Sequence, residues 1–237
     1  MIKVTGHRGA ADLAPENTLA GFRKAISLGC HSVELDVQLT RDDNLAVIHN
    51  ETIDHTTDGH GPVESLTMAE LKRFDAGAGE RIPELGEVLE LFEPTDMSIQ
   101  IELKGSGTAA PTVELVRKWG MESRVTFTSF FHRRVLEAGR LLPEATTGIL
   151  IDCSPIEPLR MMEAAGADNL HVNHFRIESE LVDVVHSAGK RIVAWGRIVE
   201  VDLIDRMIEL GVDVIGSDRP DLVLERLAKR VSRSGPR

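Results

Sequence analysis

Val33-Glu34-Leu35-Asp36-Val37 and Ile99-Gln100-Ile101-Glu102-Leu103-Lys104 decide the fold. Side chains alternate faces along a strand. In each run one face is therefore apolar and the other carries charge. In a closed barrel the apolar set packs on the surrounding helices, so Glu34, Asp36, Glu102 and Lys104 point inward. Working outward, β-rich runs at Lys3–Gly6, Ser32–Val37, Ser98–Leu103, Arg124–Ser129, Thr147–Ile151, Asn169–Asn173, Arg191–Trp195 and Val212–Ser217 alternate with helical patterns. The helices are expected over Thr18–Leu28, Pro83–Phe92, Ala110–Lys118, His132–Leu142, Pro155–Ala165, Ser179–Ala188, Glu200–Leu210 and Pro220–Val231. Gly29, Gly120, Gly166, Gly189 and Gly211 each follow an apolar periodic segment, where a helix C-terminus wants a left-handed residue. Eight strands each trailed by a helix predict an α/β (β/α)8 TIM barrel. A doubly wound open sheet is the competitor, but no Gly-rich dinucleotide loop follows the first strand.

The chain of 237 residues matches one such barrel, expected over 1–231, with 232–237 as a disordered tail. One stretch breaks the alternation. Leu45-Ala46-Val47-Ile48-His49 reads as an extra strand after a turn at Asp42-Asp43-Asn44. Residues 50–82 then form a small insertion after the second strand, over the barrel mouth. Within it, Thr67-Met68-Ala69-Glu70 is a capping-box signature for a short helix from Thr67 to Phe74.

Apolar residues make up 42% and the formal charge is −11, which argues against nucleic acid or an anionic membrane as partner. A small anionic substrate is compatible, because a site can be locally positive. Cys30 and Cys153 are far apart and in no metal-ligand spacing, which suits a reducing compartment. With no signal segment and no bilayer-spanning run, a cytoplasmic location is expected; an oligomer is possible.

Three inward carboxylates, Glu34, Asp36 and Glu102, cannot all stay ionised without compensation. A hard divalent cation, Mg2+ or Ca2+, supplies it through oxygen ligands; the bland alternative is a buried ion-pair cluster with Lys104 or Arg8. His7 and His49 sit at strand ends beside these groups, where imidazoles suit acid and base roles. Arg8 and Lys104 fit a phosphate clamp. His171 and Asn173 are expected to face the barrel interior, as substrate contacts or satisfied core polars. His55 and His60 are expected in solvent. Trp195 reads as a substrate-facing wall or plain packing. Asp218 is open between a phosphate site and a cap for the helix at Pro220.

The order of these residues resembles the glycerophosphodiester phosphodiesterase family. The match runs through His7-Arg8-Gly9, Pro15-Glu16-Asn17-Thr18, Glu34-x-Asp36-Val37, Thr40-x-Asp42, Val47-x-His49, Glu102-x-Lys104, and Asp218-x-Pro220. The resemblance implies a metal-dependent barrel hydrolase that converts glycerophosphodiesters to glycerol 3-phosphate and an alcohol. It implies one metal ion on Glu34, Asp36 and Glu102, acid/base roles for His7 and His49, and phosphate contacts from Arg8 and Lys104. It also implies two steps: the substrate's glycerol hydroxyl attacks phosphorus, and water opens the cyclic phosphate. The chain departs from the family pattern at Asn50, where Asp is usual, and at Trp195-Gly196-Arg197-Ile198, where Trp-Thr-Val-Asn is usual. Arg197 is expected either to reach the site and favour neutral or anionic alcohols, or to point into solvent and pair with Glu200. Alternative activities are a lysophospholipase D-like phosphodiesterase, which needs an apolar entry that the polar insertion does not offer, and a non-catalytic phosphoester-binding protein, against which both retained histidines argue.

Overall fold

A computed structural model describes residues 2–233. Its elements are β1 (Lys3–Gly6), α1 (Leu19–Leu28), β2 (Ser32–Leu39), β3 (Leu45–Val47), α2 (Met68–Leu71), α3 (Leu85–Phe92), β4 (Ser98–Leu103), α4 (Ala109–Lys118), β5 (Val125–Ser129), α5 (His132–Leu141), β6 (Thr146–Ile151), α6 (Pro158–Ala165), β7 (Asn169–Asn173), α7 (Ser179–Ser187), β8 (Arg191–Trp195), α8 (Val201–Leu210), β9 (Val214–Ser217) and α9 (Pro220–Arg233). Eight of the strands pair in parallel around a ring. β1 pairs with β9 on one side and with β2 on the other, which closes the barrel.

β3 is outside the ring and antiparallel to β2. Its place follows from strand length. β1 is four residues long and pairs with β2 only at Ser32 and Val33. The far end of that edge of the eight-residue β2 is then free, and β3 takes it with Val37 opposite Val47 and Leu39 opposite Leu45. This pairing carries β2 two residues past its expected end at Val37. Thr40 makes the turn between them, accepting the Asn44 N–H on its hydroxyl while its own N–H donates to the Asn44 carbonyl.

The apolar faces behave as the alternation requires. Val33, Leu35, Val37, Ile99, Ile101, Leu103 and Phe127 pack outward with Phe22, Leu89, Phe92 and Val113 from the helices. A second outer core joins β6–β9 and β1 to α6–α9 through Ile149, Leu170, Val172, Ile192, Ala194, Ile204 and Ile215. The barrel interior is polar by contrast. Thr5, Thr128 and His171 are all buried there, where large branched aliphatics usually fill a barrel. Apolar burial thus holds the fold from outside the ring and leaves the inside available for chemistry.

The insertion has its own small core of Ala46, Ile48, Ile53, Val63, Met68, Leu71, Ala76 and Ile82. The capping box forms: Thr67 accepts the Glu70 N–H at 3.2 Å and Glu70 accepts the Thr67 N–H at 2.8 Å. The helix it starts ends at Leu71 rather than Phe74. Asp42 of the β2–β3 turn pins its first residue, accepting the Met68 N–H at 3.0 Å. α9 runs over Ser232 and Arg233, the first two residues of the segment expected as a disordered tail; residues 234–237 lie outside the described residues. Among the described residues no helix is long and apolar enough to cross a membrane.

Candidate active site

Glu34 and Asp36 leave β2 on its inner face, and Glu102 lies beside Asp36 in the β2–β4 register. One oxygen from each carboxyl lies within 4.8 Å of the others, and all three residues are buried. Burial, reinforced by the Asp36 charge, pushes Glu34 up to about 7 and Glu102 up to about 8. Asp36 goes the other way: burial would raise it, but the basic groups around it, Arg8 and Lys104 among them, prevail and hold it down. Its Oδ1 is buried with no hydrogen-bond partner. Two carboxyls pushed up by burial and by a third, and an unsatisfied carboxylate oxygen between them, fit a divalent cation.

The His7-Arg8-Gly9 turn builds the next layer. Arg8 is in the left-handed region at φ 49°, a conformation that costs an arginine energy and persists only where its surroundings hold it. Its N–H donates to Glu34 Oε2 at 3.0 Å, and its guanidinium lies between Glu16 Oε1 at 2.9 Å and Asp36 Oδ2 at 3.6 Å. Gly9 follows at φ 94° with its Cα pressed on α1, where a Cβ would meet the Gly21 backbone at 2.6 Å. The Pro15-Glu16-Asn17-Thr18 segment divides its work. Glu16 holds Arg8, and Thr18 caps α1 by accepting the Gly21 N–H. Asn17, also left-handed at φ 54°, donates to Asp36 Oδ2 at 2.8 Å and accepts the Asp36 N–H at 3.3 Å.

The two histidines face different partners. His7 Nδ1 lies 2.5 Å from Asp218 Oδ1, and its Nε2 is 3.8 Å from Glu34. Burial works to lower His7, but the Asp218 hydrogen bond and the Glu34 charge prevail, and the net direction is up. His49 Nδ1 lies 2.5 Å from Asn50 Oδ1, and its Nε2 is 2.9 Å from Lys104 Nζ. An ammonium can only donate and an amide oxygen can only accept, so His49 is a neutral imidazole with its proton on Nδ1. Burial also pushes it down, against the pull of Asp36. Gln38 fixes this segment, donating to the carbonyls of His49 at 3.0 Å and Asn50 at 2.5 Å. Lys104 Nζ also reaches Glu102 at 3.4 Å and Asp36 at 3.9 Å.

Of these groups His7, Arg8, Glu34, His49 and Glu102 line a cleft of about 490 Å³, the solvent at its open mouth included. Its other wall is apolar: Phe130, Leu150, Val193, Ala194 and Trp195. Trp195 meets Phe130 edge to face at 5.3 Å. Asn173 is not among the lining residues; its Oδ1 accepts the Phe175 N–H at 3.2 Å. His171 lies deep in the barrel, 1% exposed, with neither ring nitrogen hydrogen-bonded. His60 is exposed in the insertion beside Asp54. Asp218 does not cap α9, because its carboxylate is committed to His7 and Arg197. Arg197 is largely exposed, but its partner is Asp12 rather than Glu200, bonded through both nitrogens at 2.8 Å, and it lies 3.4 Å from Asp218.

His7, Arg8, Glu34, Asp36, His49, Glu102, Lys104 and Trp195, all expected at the site, come together at one mouth of the barrel, whereas Glu16, Asn17, Gln38 and Asp12 join them without a role expected from sequence. Glu16 and Asn17 stood inside a quoted motif, which was the available signal.

A parallel barrel with an acidic cluster, two histidines and two cations at one mouth defines a barrel phosphodiester hydrolase in chemical outline. The model of the glycerophosphoryl diester phosphodiesterase family matches residues 7–222, and the chain belongs to that family. It is 38% identical to a glycerophosphodiester phosphodiesterase of Caldanaerobacter subterraneus, over 95% of this chain and 98% of that one. An Oleispira antarctica phosphodiesterase, solved in complex with the product sn-glycerol-3-phosphate, superposes with a TM-score of 0.91 at 29% identity, covering 95% and 96% of the two chains. A glycerophosphodiester phosphodiesterase from Agrobacterium tumefaciens gives a TM-score of 0.85 at 30% identity, covering 95% and 100%.

Proposed function

We propose that this chain hydrolyses glycerophosphodiesters to glycerol 3-phosphate and an alcohol, the reaction of its family, with His7 as proton donor and His49 as proton acceptor in the first step. The observation that carries the assignment is the asymmetry of partners. His7 faces a carboxylate on Nδ1, which favours the imidazolium; His49 faces an amide oxygen and an ammonium, which favour the free base.

Glu34, Asp36 and Glu102 would hold one divalent ion, Mg2+ or Ca2+. Such an ion supplies positive charge for the phosphate oxygens as negative charge builds on them. Arg8 and Lys104 carry donors for the same oxygens. In the first step His49 takes the proton of the attacking glycerol hydroxyl, and that oxygen bonds to phosphorus. The bond from phosphorus to the alcohol oxygen breaks, and His7 gives this oxygen a proton. In the second step His7, now neutral, takes a proton from water as the water oxygen bonds to phosphorus; the bond from phosphorus to the glycerol oxygen that attacked first breaks, and His49 returns its proton to that oxygen. Both histidines end as they began.

A second reading concerns the alcohol. Phe130, Phe131, Ile156 and Phe175 are exposed on the loops after β5, β6 and β7. They follow the strands that carry the apolar cleft wall at Phe130 and Leu150, and Phe131 also borders a groove with Glu51, Thr52, Pro62 and Glu64 of the insertion. These exposed residues offer the entry for an acyl chain that the insertion lacks, and they favour diesters whose alcohol carries one.

The test is a substrate panel. Purified enzyme with Mg2+ or Ca2+ should release glycerol 3-phosphate from glycerophosphocholine. Turnover of lysophosphatidylcholine that falls selectively in Phe131→Ser/Phe175→Ser would support the second reading. Lack of turnover on every diester with both metals would remove the primary one.

A further inference from the structure

Three loops meet beside His7, and they are tied by charge. Asp218, just past β9, places Oδ1 2.5 Å from His7 Nδ1. Its other oxygen, Oδ2, lies 3.4 Å from Arg197 Nη1. Arg197, just past β8, donates from both terminal nitrogens to the two oxygens of Asp12, each at 2.8 Å. Asp12 belongs to the loop after β1, and its N–H donates to the Asp218 carbonyl at 3.2 Å. The loop carrying Arg197 is itself fixed: Gly196 turns at φ 109° and the Ile198 carbonyl accepts from Ser217 Oγ at 2.6 Å.

We propose that Asp218 is the positioning residue for His7, and that Arg197, clamped by Asp12, holds the Asp218 carboxylate in the rotamer that does so. A carboxylate on one ring nitrogen fixes both the ring plane and the tautomer, leaving the other nitrogen directed at the site. Here Nδ1–H points to Asp218 and Nε2 faces the cleft. Arg197 satisfies the oxygen that His7 does not use, so the carboxylate has one favoured orientation. A planar fork gripping Asp12 through two parallel bonds suits this task better than a lysine, which lacks the geometry. His49 has no such support: its Nδ1 partner is the neutral Asn50 amide. The chain thus holds its two histidines by different means. The proposal rests on His7 acting as proton donor to the leaving alcohol.

Leaving-group dependence tests it. Two substrates are used, glycerophosphocholine and the p-nitrophenyl diester of glycerol phosphate. Choline alkoxide needs a proton to depart, whereas p-nitrophenolate does not. Asp218→Asn should lower kcat on glycerophosphocholine by about 10²-fold, the usual worth of a positioned acid. KM should hold within about twofold, and the first-turnover burst of p-nitrophenolate from the p-nitrophenyl diester should be released nearly as fast as by wild type. Arg197→Met and Asp12→Asn should each give a weaker effect of the same pattern. Combined, they should lose no more than either alone, because they act as one unit. Arg197→Lys should recover less than half of the loss. Thermal unfolding midpoints accompany every variant.

Equal loss on both substrates, or loss that tracks the unfolding midpoint, would mean a structural role and overturn the proposal. So would unchanged kcat in Asp218→Asn. His7→Ala separates the two layers. If it keeps turnover on glycerophosphocholine, the donor assignment itself fails. If it loses turnover and Asp218→Asn does not, only the positioning role fails.

Discussion

Asn17 does more than its place in a loop suggests. It is buried, left-handed, and bonded to Asp36 through both ends of its amide. Asn tolerates this backbone region better than most residues. Asn17→Ala removes a charge-assisted bond to an ionised carboxylate and leaves a strained backbone. Divalent-ion affinity, read by calorimetry, should fall about tenfold, since one hydrogen bond to a charged group contributes about 1.5–3 kcal/mol. Unchanged affinity would mean that Arg8 alone orients Asp36. The histidines carry a second prediction. His7→Ala and His49→Ala should each lower turnover of glycerophosphocholine by about 10²-fold or more, while circular dichroism stays that of wild type. Retained turnover in either variant contradicts its assignment. The partners of Asn17, Glu16 and Asp218 lie 19, 8 and 211 positions away, so the sequence leaves the first two without a role and gives Asp218 two candidate roles, neither of them the bond to His7. The inward carboxylates were legible because strand alternation is local.

At the scale of elements, β6 and β7 meet through an unusual pair. Gly148 of β6 packs directly on the His171 ring of β7, and a Cβ there would lie 2.4 Å from Nε2. The glycine makes room for a large ring inside a crowded barrel. Gly148→Ala forces that buried ring to move and should cost about 1–3 kcal/mol, as overpacking does. Urea unfolding measures it, and pairing the change with His171→Ala should recover part of the loss. If Gly148→Ala is neutral, the barrel interior yields more readily than close packing allows. The strands themselves were read almost to the residue, since buried faces leave a strict pattern. β2 was read two residues short because its end is fixed by pairing with β3, a non-local event. The helix expected from Pro83 starts at Leu85: the Pro83 carbonyl accepts the Val47 N–H, and Glu84 forms the capping box with Glu87.

Over the whole molecule, the polar barrel interior links stability to pH. Burial pushes His171 down to about 3, from an ordinary value of 6.5. Below 6.5 the unfolded chain binds a proton at this residue and the folded chain does not. Its contribution is therefore complete above 6.5 and is lost progressively as pH falls toward 3, by up to about 1.4 kcal/mol per unit. Replacing His171 with Met should flatten the acid side of a stability–pH curve measured by urea unfolding. A curve of unchanged slope would show that other groups dominate there. The outer cores that surround this interior stabilise the barrel without entering it, which is why so many ionisable groups coexist at the mouth.

Glu34, Asp36 and Glu102 among them are the groups that could hold a divalent ion. The decisive measurement is glycerol 3-phosphate release from glycerophosphocholine by protein stripped with EDTA, then restored with Mg2+ or Ca2+, alongside Glu102→Gln. Stripping should abolish release, one of the two ions should restore it, and Glu102→Gln should need a much higher ion concentration for the same rate. Full release by metal-free protein, or an ion requirement unchanged in Glu102→Gln, would contradict a metal site on these carboxylates.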